Sequence, residues 1–490
     1  MKQEEQVITK GETEHEAGRQ IYPSLLTPYT FRVARLLLVA TLVAVPWALG
    51  GVETWAWVGL GLAACLILVL WAVGSVQQRA IKLAWSPLYL PVAFFFLLGV
   101  VQYAGRLTLD RAETRQALVL LAADAAFFFL AIQLFSSATG ATWRAFGLAV
   151  LVLAASLGLF ALLQFASGEQ RIYGHVDTPG NLLFGPYVNP NHFAGLMEML
   201  IPVAVFCLLE RRGRPSLAAL AWIAVGAAIA VASLLLSGSR GGLLALTAEI
   251  VIAVPVVRAI RVRRIGKRSL AAVVAATILA GVLLFTWIDP GIVAQKLGMI
   301  VEVGGSAWVE WAGFRKSVAS DSLRMLHHHP ILGVGLGNFE TAYPRYQSFP
   351  SDLWIDYAHN DYVQALVETG LVGAVLIVSA LGLLLYAAFG SSIGDQETGS
   401  GNRESEVQPE SAVGGQEREE EPPPPNPQLR IHGRWIRLGA ALGCCGMLVH
   451  SFFDFNLHIP ANAAWFAVLA GMACAPKATQ RREEDALDIG

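Results

Sequence analysis

The chain is poor in charge. Asp, Glu, Lys and Arg together make up 15% of its 490 residues, whereas a soluble domain carries about 25%. Hydrophobic residues reach 55%, and the mean hydropathy is +0.52. This composition excludes an ordinary soluble protein and predicts an all-α integral membrane protein.

Cysteine is also scarce, with five residues in the whole chain. None has the spacing of a metal site, and all five lie in apolar runs. We therefore expect five buried apolar side chains: Cys65, Cys207, Cys444, Cys445 and Cys474.

Familiar catalytic and binding signatures are absent from the sequence. There is no zinc motif, dinucleotide fingerprint or Ser-His-Asp signature, and "GVGLG" (333–337) lacks the Lys-Ser/Thr of a P-loop. We read "GVGLG" as a flexible turn.

The cytoplasmic arginines are typical of topology signals, and nothing indicates nucleic-acid binding. The first 30 residues contain no apolar core of a cleaved signal peptide, so the first membrane helix is expected to direct membrane insertion.

What the chain does contain is a series of long apolar runs. A helix that crosses a bilayer core of about 30 Å needs about 20 apolar residues. Twelve runs predict spans, nine of them within 33–288, one at 359–389 and two within 435–476. They lie near 33–50, 55–74, 87–104, 117–135, 146–166, 192–209, 216–237, 241–257, 269–288, 359–389, 435–453 and 460–476.

The basic residues set the predicted orientation. Segment 258–268 holds six Lys and Arg residues, which places it in the cytoplasm. The polar ends, 1–32 and 477–490, then also lie in the cytoplasm. Residues 289–358 form one large external loop, with aromatic side chains at the membrane interface. Residues 390–434 form an acidic, proline-rich linker that we expect to be disordered and cytoplasmic.

The polar residues that interrupt the apolar pattern collect on the external side. Scattered loop polarity would not segregate in this way, so we predict a single outward-facing site. The polar stretches are "YVNPNHFAG" (187–195), "SGSRGG" (237–242), "FRKS" (314–317), "LHHHPILGVGLGNF" (326–339), "AHNDYVQALVETG" (358–370) and "SFFDFNLHIPAN" (451–462).

Arg240 stands between two apolar runs in "LLLSGSRGGLLAL" (234–246). An arginine at the centre of a bilayer costs about 2.5–3.5 kcal/mol. The neighbouring Gly238, Gly241 and Gly242 let the backbone approach a ligand closely. A guanidinium beside the N-terminus of the next helix suits phosphate or pyrophosphate. The alternative is an interfacial arginine that reaches lipid headgroups.

His359, Asn360 and Asp361 stand at the start of a long apolar helix. Capping accounts for Asn360 as the N-cap and for Asp361 as a charge that complements the helix dipole. It does not account for His359, because a cation is disfavoured at that end. A helix N-terminus helps to keep an imidazole neutral, as a general base requires.

Other polar residues favour structural roles. The histidines of 327–329 point about 100° apart on a helix, so we do not expect a shared metal ion. Pro330 is expected to end that helix. Asp454 and His458 are expected to cap the outer ends of the last two spans. Asp454 is costly in its apolar context, so we expect it to pair with an arginine.

The order of these motifs resembles the O-antigen ligase/polymerase superfamily of bacterial membrane proteins. The similarity runs from about residue 187 to 373 and covers "NPNHFAG", "SGSRGG", an arginine about fifteen residues before a His-Pro, "HPILGVGLGNF" and "AHNDYVQALVETGLVG". The segment "DFNLHIPAN" also resembles some members. The resemblance implies a lipid-carrier glycosyltransferase fold with about twelve transmembrane helices and one large periplasmic loop.

The resemblance also implies an activity. Such enzymes sit in the bacterial inner membrane and move a glycan from undecaprenyl pyrophosphate to an acceptor hydroxyl at the periplasmic face. The acceptor is the lipid A core for ligases and a second lipid-linked glycan for polymerases, and the sequence does not separate the two. The resemblance implies no metal, no nucleotide sugar and no other cofactor.

Residue by residue, the resemblance assigns the pyrophosphate-binding arginines to Arg240 and Arg315 and the general base to His359. Many members have a tryptophan soon after the second arginine, and "RKSVASDS" (315–322) has none. Arg324 and Arg345 therefore stay open as alternatives to Arg315. The residues predicted to bind substrate are Asn189, Asn191, His192, Asn360, Tyr362, Arg345 and Asp454.

Two other classes of function stay open. Some relatives in this superfamily are labelled inorganic-carbon transporters, so a small-anion transporter is one alternative. A transporter would usually show broken helices and ionisable residues near the middle of the membrane, whereas the polar residues here lie at one face. A scaffold of a polysaccharide assembly complex is the other, and it would not need Arg240, Arg315 and His359 together.

Overall fold

The computed structural model describes residues 29–79, 81, 83–178, 183–207, 209–210, 216–259, 298, 306–351, 354–390 and 433–476. Several predictions concern residues outside these ranges. They include the predicted span 269–288, most of the linker 390–434, the tail 477–490 and the first part of the loop 289–358.

The described residues are mostly helical. The first eight helices are α1 (Tyr29–Trp47), α2 (Thr54–Gln77), α3 (Tyr89–Ala104), α4 (Arg111–Ser136), α5 (Gly140–Ser167), α6 (Pro190–Phe206), α7 (Leu217–Leu236) and α8 (Arg240–Ala259). The remaining five are α9 (Ser306–His328), α10 (Phe339–Ala342), α11 (Asp361–Leu385), α12 (Arg434–His450) and α13 (Pro460–Cys474).

Short elements connect these helices. The strands β1 (Arg171–Ile172) and β2 (Val176–Asp177) form an antiparallel hairpin between α5 and α6. The 3₁₀ turns are Leu49–Gly51, Tyr343–Arg345 and Asn456–His458, and a π-helical turn, Tyr386–Gly390, continues α11.

Every predicted span other than 269–288 coincides with a helix. Among the described residues, seven helices are long and apolar enough to cross a membrane, namely α1, α2, α4, α5, α7, α8 and α11. Helices α3 and α13 are shorter and apolar, and α6 and α12 have 17 residues each. The class of helical membrane protein is confirmed, while the count of twelve spans stays a prediction.

Helices α4 and α5 begin well before their predicted starts at 117 and 146, because a polar residue caps each first turn. The Asp110 carboxylate accepts a hydrogen bond from the Ala112 N–H at 2.7 Å, so α4 begins at Arg111. Thr139 caps α5 in the same way at Gly140. Hydropathy locates the apolar run but not the polar first turn that precedes it.

Helices α6, α12 and α13 lie at the centre of the bundle, and most of their side chains are buried. Glycines of α12 let its backbone approach α6 closely. A Cβ atom on Gly443 would lie 2.6 Å from the Met199 carbonyl oxygen, and one on Gly439 would lie 2.8 Å from the Val203 Cα. Helices that are apolar on all sides are typical of such a central position.

The glycine-rich segment 333–337 is held in place on α11. The Gly335 N–H donates to the Glu368 carbonyl at 3.1 Å, and the Gly337 N–H donates to the Glu368 carboxylate at 2.8 Å. Gly370 adopts a φ of 63°, which kinks α11 where this segment crosses it. The segment forms turns, as predicted, and α11 holds them through hydrogen bonds that the local sequence does not reveal.

Four of the five cysteines are buried, as expected, but Cys65 is exposed. It lies on α2, whose outward face also exposes Leu62, Leu66 and Val69. The prediction for Cys65 is wrong, because an apolar run shows that a segment avoids water and not which of its faces points outward.

Candidate active site

Polar side chains from four segments meet at one end of the bundle. These segments are the start of α6, helix α9, the start of α11 and the loop 451–459. Asp454 lies at the centre and is 1% exposed. The Asn191 amide donates to its Oδ2 at 2.6 Å, and the Phe455 N–H donates to its Oδ1 at 3.0 Å. This cluster brings together four of the six polar stretches that the sequence predicted to share one face, namely 187–195, 314–317, 358–370 and 451–462.

His359 contacts the same carboxylate. Its Nδ1 lies 3.3 Å from Asp454 Oδ1, and its side chain is 26% exposed. Since an ionised carboxylate only accepts hydrogen bonds, the proton of a neutral imidazole lies on Nδ1 and the lone pair on Nε2. His359 also adopts a φ of 52°, a region that L-residues occupy at a cost and that often marks functional sites.

Arg315 approaches Asp454 from α9. Its Nη2 lies 3.6 Å from Asp454 Oδ2, and its Nη1 donates to the Phe453 carbonyl. Burial lowers the pKa of Arg315 to about 10, with Asp454 opposing the shift. The guanidinium therefore stays charged at neutral pH. Asp454 thus has the arginine partner that its apolar context predicted.

The charges around Asp454 decide its ionisation. Burial by itself would raise the pKa of Asp454, but the hydrogen bond from His359 and the charge of Arg315 act in the opposite direction. Together they hold the Asp454 pKa below its usual range. The His192 ring is buried, with Nε2 3.9 Å from Asp454 Oδ1, and packs edge-on against Phe455. The result is a carboxylate that is ionised at neutral pH and can orient an imidazole and a guanidinium.

Three predicted substrate-binding residues make hydrogen bonds to other groups of the protein. The Asn189 side chain accepts from the Asn191 N–H at 2.8 Å as the N-cap of α6. Asn360 is the N-cap of α11, as the sequence predicted, and accepts from a backbone N–H at 3.0 Å. The Tyr362 hydroxyl donates to the Leu448 carbonyl at 2.7 Å. Each of these side chains supports the helix starts that border Asp454.

Arg240 is the first residue of α8. The Ser239 hydroxyl accepts from the Gly242 N–H at 3.1 Å, and Gly238 has a φ of 76°, so the turn before Arg240 is tightly formed. Gly241 packs on the ring of His450, where an added Cβ would lie 2.5 Å from the ring atoms. Because His450 lies one helical turn before Asp454, Arg240 starts its helix at the same end of the bundle.

The two alternative arginines lie elsewhere. Arg324 donates to the Asp321 carboxylate at 2.6 Å and to the Tyr346 carbonyl at 2.7 Å, and 53% of its side chain is exposed. Arg345 is exposed at the end of the 3₁₀ turn Tyr343–Arg345. Arg315 is therefore the arginine that the structure brings to Asp454.

A second His-Asp pair lies beside the first. His458 Nδ1 is 2.8 Å from Asp361 Oδ1, and the Ser451 hydroxyl donates to Asp361 Oδ2 at 2.8 Å. Burial would lower the pKa of His458, but the hydrogen bond and charge of Asp361 raise it overall. The prediction that Asp454 and His458 cap helices is wrong, since both side chains bind residues from other segments.

Sequence reasoning missed a buried pair inside the bundle. His450, at the end of α12, lies with Nδ1 2.9 Å from Glu198 Oε2 of α6, and both side chains are at most 1% exposed. Glu249 of α8 contacts Gly446, which lies one turn before His450 on α12. Ionisable residues within apolar spans were the available signal, because they are rarely tolerated there without a role.

An apolar cavity of about 430 Å³ borders the second pair. It lies between α3, α4, α11 and α13, and Asp361 and His458 line it. Its walls follow α11 as far as Leu381. A helix from 361 to 381 is about 30 Å long, which is comparable to the hydrocarbon core of a bilayer.

The histidines of 327–329 lie at the end of α9, which stops at His328 before Pro330. In the described ranges, no group of three or more His, Cys, Asp or Glu side chains is arranged to hold a metal ion.

Part of the chain matches a known protein family. Residues 195–378 match the family model for O-antigen ligase, and this segment contains Arg240, Arg315 and His359. No curated protein matches the chain. Residues 195–378, with the arginine turn and the His-Asn helix start, are thus similar to O-antigen ligases, which supports the resemblance to the O-antigen ligase/polymerase superfamily, and several described helices are long and apolar enough to cross a membrane.

Proposed function

We propose that the protein transfers a glycan from undecaprenyl pyrophosphate to an acceptor hydroxyl at the periplasmic face of the bacterial inner membrane. The family match supports a glycosyltransferase of the O-antigen ligase/polymerase type. The observation that carries the finer proposal is the cluster of His359 and Arg315 around Asp454, with Arg240 starting a helix at the same end.

His359 acts as the general base. Asp454 accepts from Nδ1 and so holds the imidazole in the tautomer whose Nε2 takes a proton. The acceptor oxygen forms a bond to the anomeric carbon of the glycan while its proton passes to His359 Nε2. The bond from that carbon to the phosphate oxygen breaks, and the electron pair leaves with the pyrophosphate.

Arg315 and Arg240 bind the pyrophosphate and stabilise the charge that it gains as it leaves. Guanidinium groups suit this task, because their planar donors bind two phosphate oxygens at once. Arg315 stays charged at neutral pH, and its contact with Asp454 holds it near the base. Preorganised donors of this kind act without reorganisation during the reaction.

The apolar cavity along α11 supports a lipid-linked donor. It is lined mostly by apolar side chains, among them Leu376, Ala380 and Leu381, and also by the polar Asp124, Asp361, Glu368 and His458. A cavity of this shape suits a hydrocarbon chain whose polar head lies at the surface. We propose that it holds part of the undecaprenyl chain.

The test is a transfer assay in liposomes. The purified protein receives a glycan on a polyprenyl pyrophosphate together with candidate acceptors, and the products are separated on a gel. We expect product with wild type and none with Arg240→Ala. Product on the lipid A core identifies a ligase, and a ladder of lengthening glycans identifies a polymerase.

Arg171→Ala is the matched control for Arg240→Ala. Arg171 lies in the hairpin and pairs with Asp177, and both side chains are largely exposed. We expect its activity to equal that of wild type. Absence of transfer with every donor, together with passage of labelled bicarbonate across the bilayer, would replace the enzyme with the anion transporter.

A further inference from the structure

The pair formed by Glu198 and His450 has no part in the mechanism above. Glu198 comes from α6 and His450 from the last position of α12, and their side chains lie 2.9 Å apart with almost no exposure. A buried pair of this kind is often no more stabilising than two apolar residues of similar volume. The stability of the bundle alone therefore does not explain it.

The ring of His450 supports the turn that carries Arg240. A Cβ atom on Gly241 would lie 2.5 Å from the Cδ2 and Nε2 atoms of this ring, which is too close. A residue without a Cβ is therefore required at position 241. Glu198 holds the opposite edge of the ring through Nδ1. The ring is thus fixed on one side by α6 and contacts α8 on the other.

The backbone of His450 supports Asp454. Its carbonyl accepts hydrogen bonds from the Phe453 N–H at 2.7 Å and from the Asp454 N–H at 3.2 Å. Phe453 in turn offers its carbonyl to Arg315. The side chain of His450 therefore contacts the Arg240 turn. The backbone of His450 contacts the segment that binds Arg315 and His359.

We propose that Glu198 and His450 are positioning residues that set the placement of Arg240 relative to Arg315 and His359. The pair touches neither substrate nor reacting atoms. It acts through Arg240, and it rests on the proposed function of Arg240 in pyrophosphate binding. A displacement of about 1 Å in such a group can cost about 10²-fold in rate.

The test measures coupling between His450 and Arg240. In the wild-type background, His450→Gln and Glu198→Gln are each expected to lower kcat by about 10–100-fold. In an Arg240→Lys background, which keeps the charge but not the planar fork, His450→Gln is expected to have an effect below about 3-fold. Residues that act through one another are non-additive in this way.

Glu210→Gln is the control for a purely structural role. Glu210 accepts from the Gly433 N–H at 2.8 Å and from the Trp435 N–H at 3.1 Å, so it supports the opposite end of α12. We expect it to lower the thermal unfolding midpoint about as much as His450→Gln does while leaving kcat unchanged. If Glu210→Gln and His450→Gln lower the unfolding midpoint by the same amount and also lower kcat by the same factor, the inference is overturned.

Further outcomes separate this inference from the proposed function. If wild type transfers glycan, Arg240→Ala does not, and His450→Gln loses the same factor in both backgrounds, the inference fails and the function stands. If wild type transfers nothing, binding of farnesyl pyrophosphate is measured instead. Weaker binding by both Arg240→Ala and His450→Gln supports the inference, and unchanged binding in His450→Gln, or no binding by wild type, overturns it.

Discussion

Two His-Asp pairs connect the start of α11 to the loop 451–459, and they are crossed. His359 of the α11 side binds Asp454 of the loop, while His458 of the loop binds Asp361 of α11. The residues are alike, but their surroundings differ. Asp454 also contacts Arg315 and Asn191, whereas Asp361 receives the Ser451 hydroxyl and the Leu457 N–H.

The difference teaches which pair can do chemistry. The first pair lies beside the Arg315 guanidinium, and His359 is held at a φ that L-residues avoid. The second pair joins the loop to the first turn of α11, and its carboxylate also accepts from the Ser451 hydroxyl and the Leu457 N–H, with no arginine in contact among the described residues. We therefore propose a catalytic role for His359 with Asp454 and a mainly structural role for His458 with Asp361.

The largest effect that would separate the pairs is expected for His359→Ala. Removal of the general base should lower kcat by about 10²–10⁴-fold. Turnover is measured with a fixed lipid-linked donor and a saturating acceptor. The control is His327→Ala, an exposed histidine of α9. Near wild-type turnover in His359→Ala would show that the base lies elsewhere, with His458 as the next candidate.

Arg315→Ala should have the next largest effect. Loss of one preorganised donor to the leaving group typically costs about 10²–10³-fold in kcat. Arg324→Ala, on the same helix but held by Asp321, is expected to retain activity. The same transfer assay compares the two variants. The reverse result would mean that Arg324, and not Arg315, binds the pyrophosphate leaving group.

Exchanging the carboxylates one at a time tests the comparison directly. Asp454→Asn should lower kcat by about 10–100-fold, because an amide neither fixes the His359 tautomer nor holds Arg315 by charge. Asp361→Asn should instead act mainly on the thermal unfolding midpoint. Both quantities are measured on both variants in detergent micelles. Equal kcat losses would remove the distinction between the pairs.

The smallest effect is a pH dependence of stability. Asp361 raises the pKa of His458 above its unfolded value of about 6.5, so the pair stabilises the protein fully below that pH. This contribution is lost as the pH rises through the folded-state pKa. The difference in unfolding midpoint between wild type and His458→Gln should therefore shrink from pH 5.5 to pH 8.5. A constant difference would mean that the pair is not charged.

Much of the site was predictable from the chain. Arg240 and His359 stood out because each is costly where it lies, and Asp454 was expected to find an arginine. The choice among Arg315, Arg324 and Arg345 was not predictable, since all three lie in the one segment that the sequence predicted to be external. Only the fold shows that Arg324 binds Asp321 while Arg315 reaches the loop 451–459.

The buried pair and the glycine-rich segment were read least well. Glu198 and His450 lie 252 positions apart, so no local pattern connects them. The segment 333–337 looked flexible because glycine permits many conformations. Its conformation is set by Glu368, a residue of α11.

The sequence by itself determined the class of protein, because avoidance of water by long apolar runs and the cost of isolated charges are properties of single segments. It also placed nearly every helix and indicated the family. The tertiary structure decided which charges meet. Asp454 orients His359 and holds Arg315 only because α6, α9, α11 and the loop 451–459 converge, and such contacts depend on how helices pack across hundreds of residues.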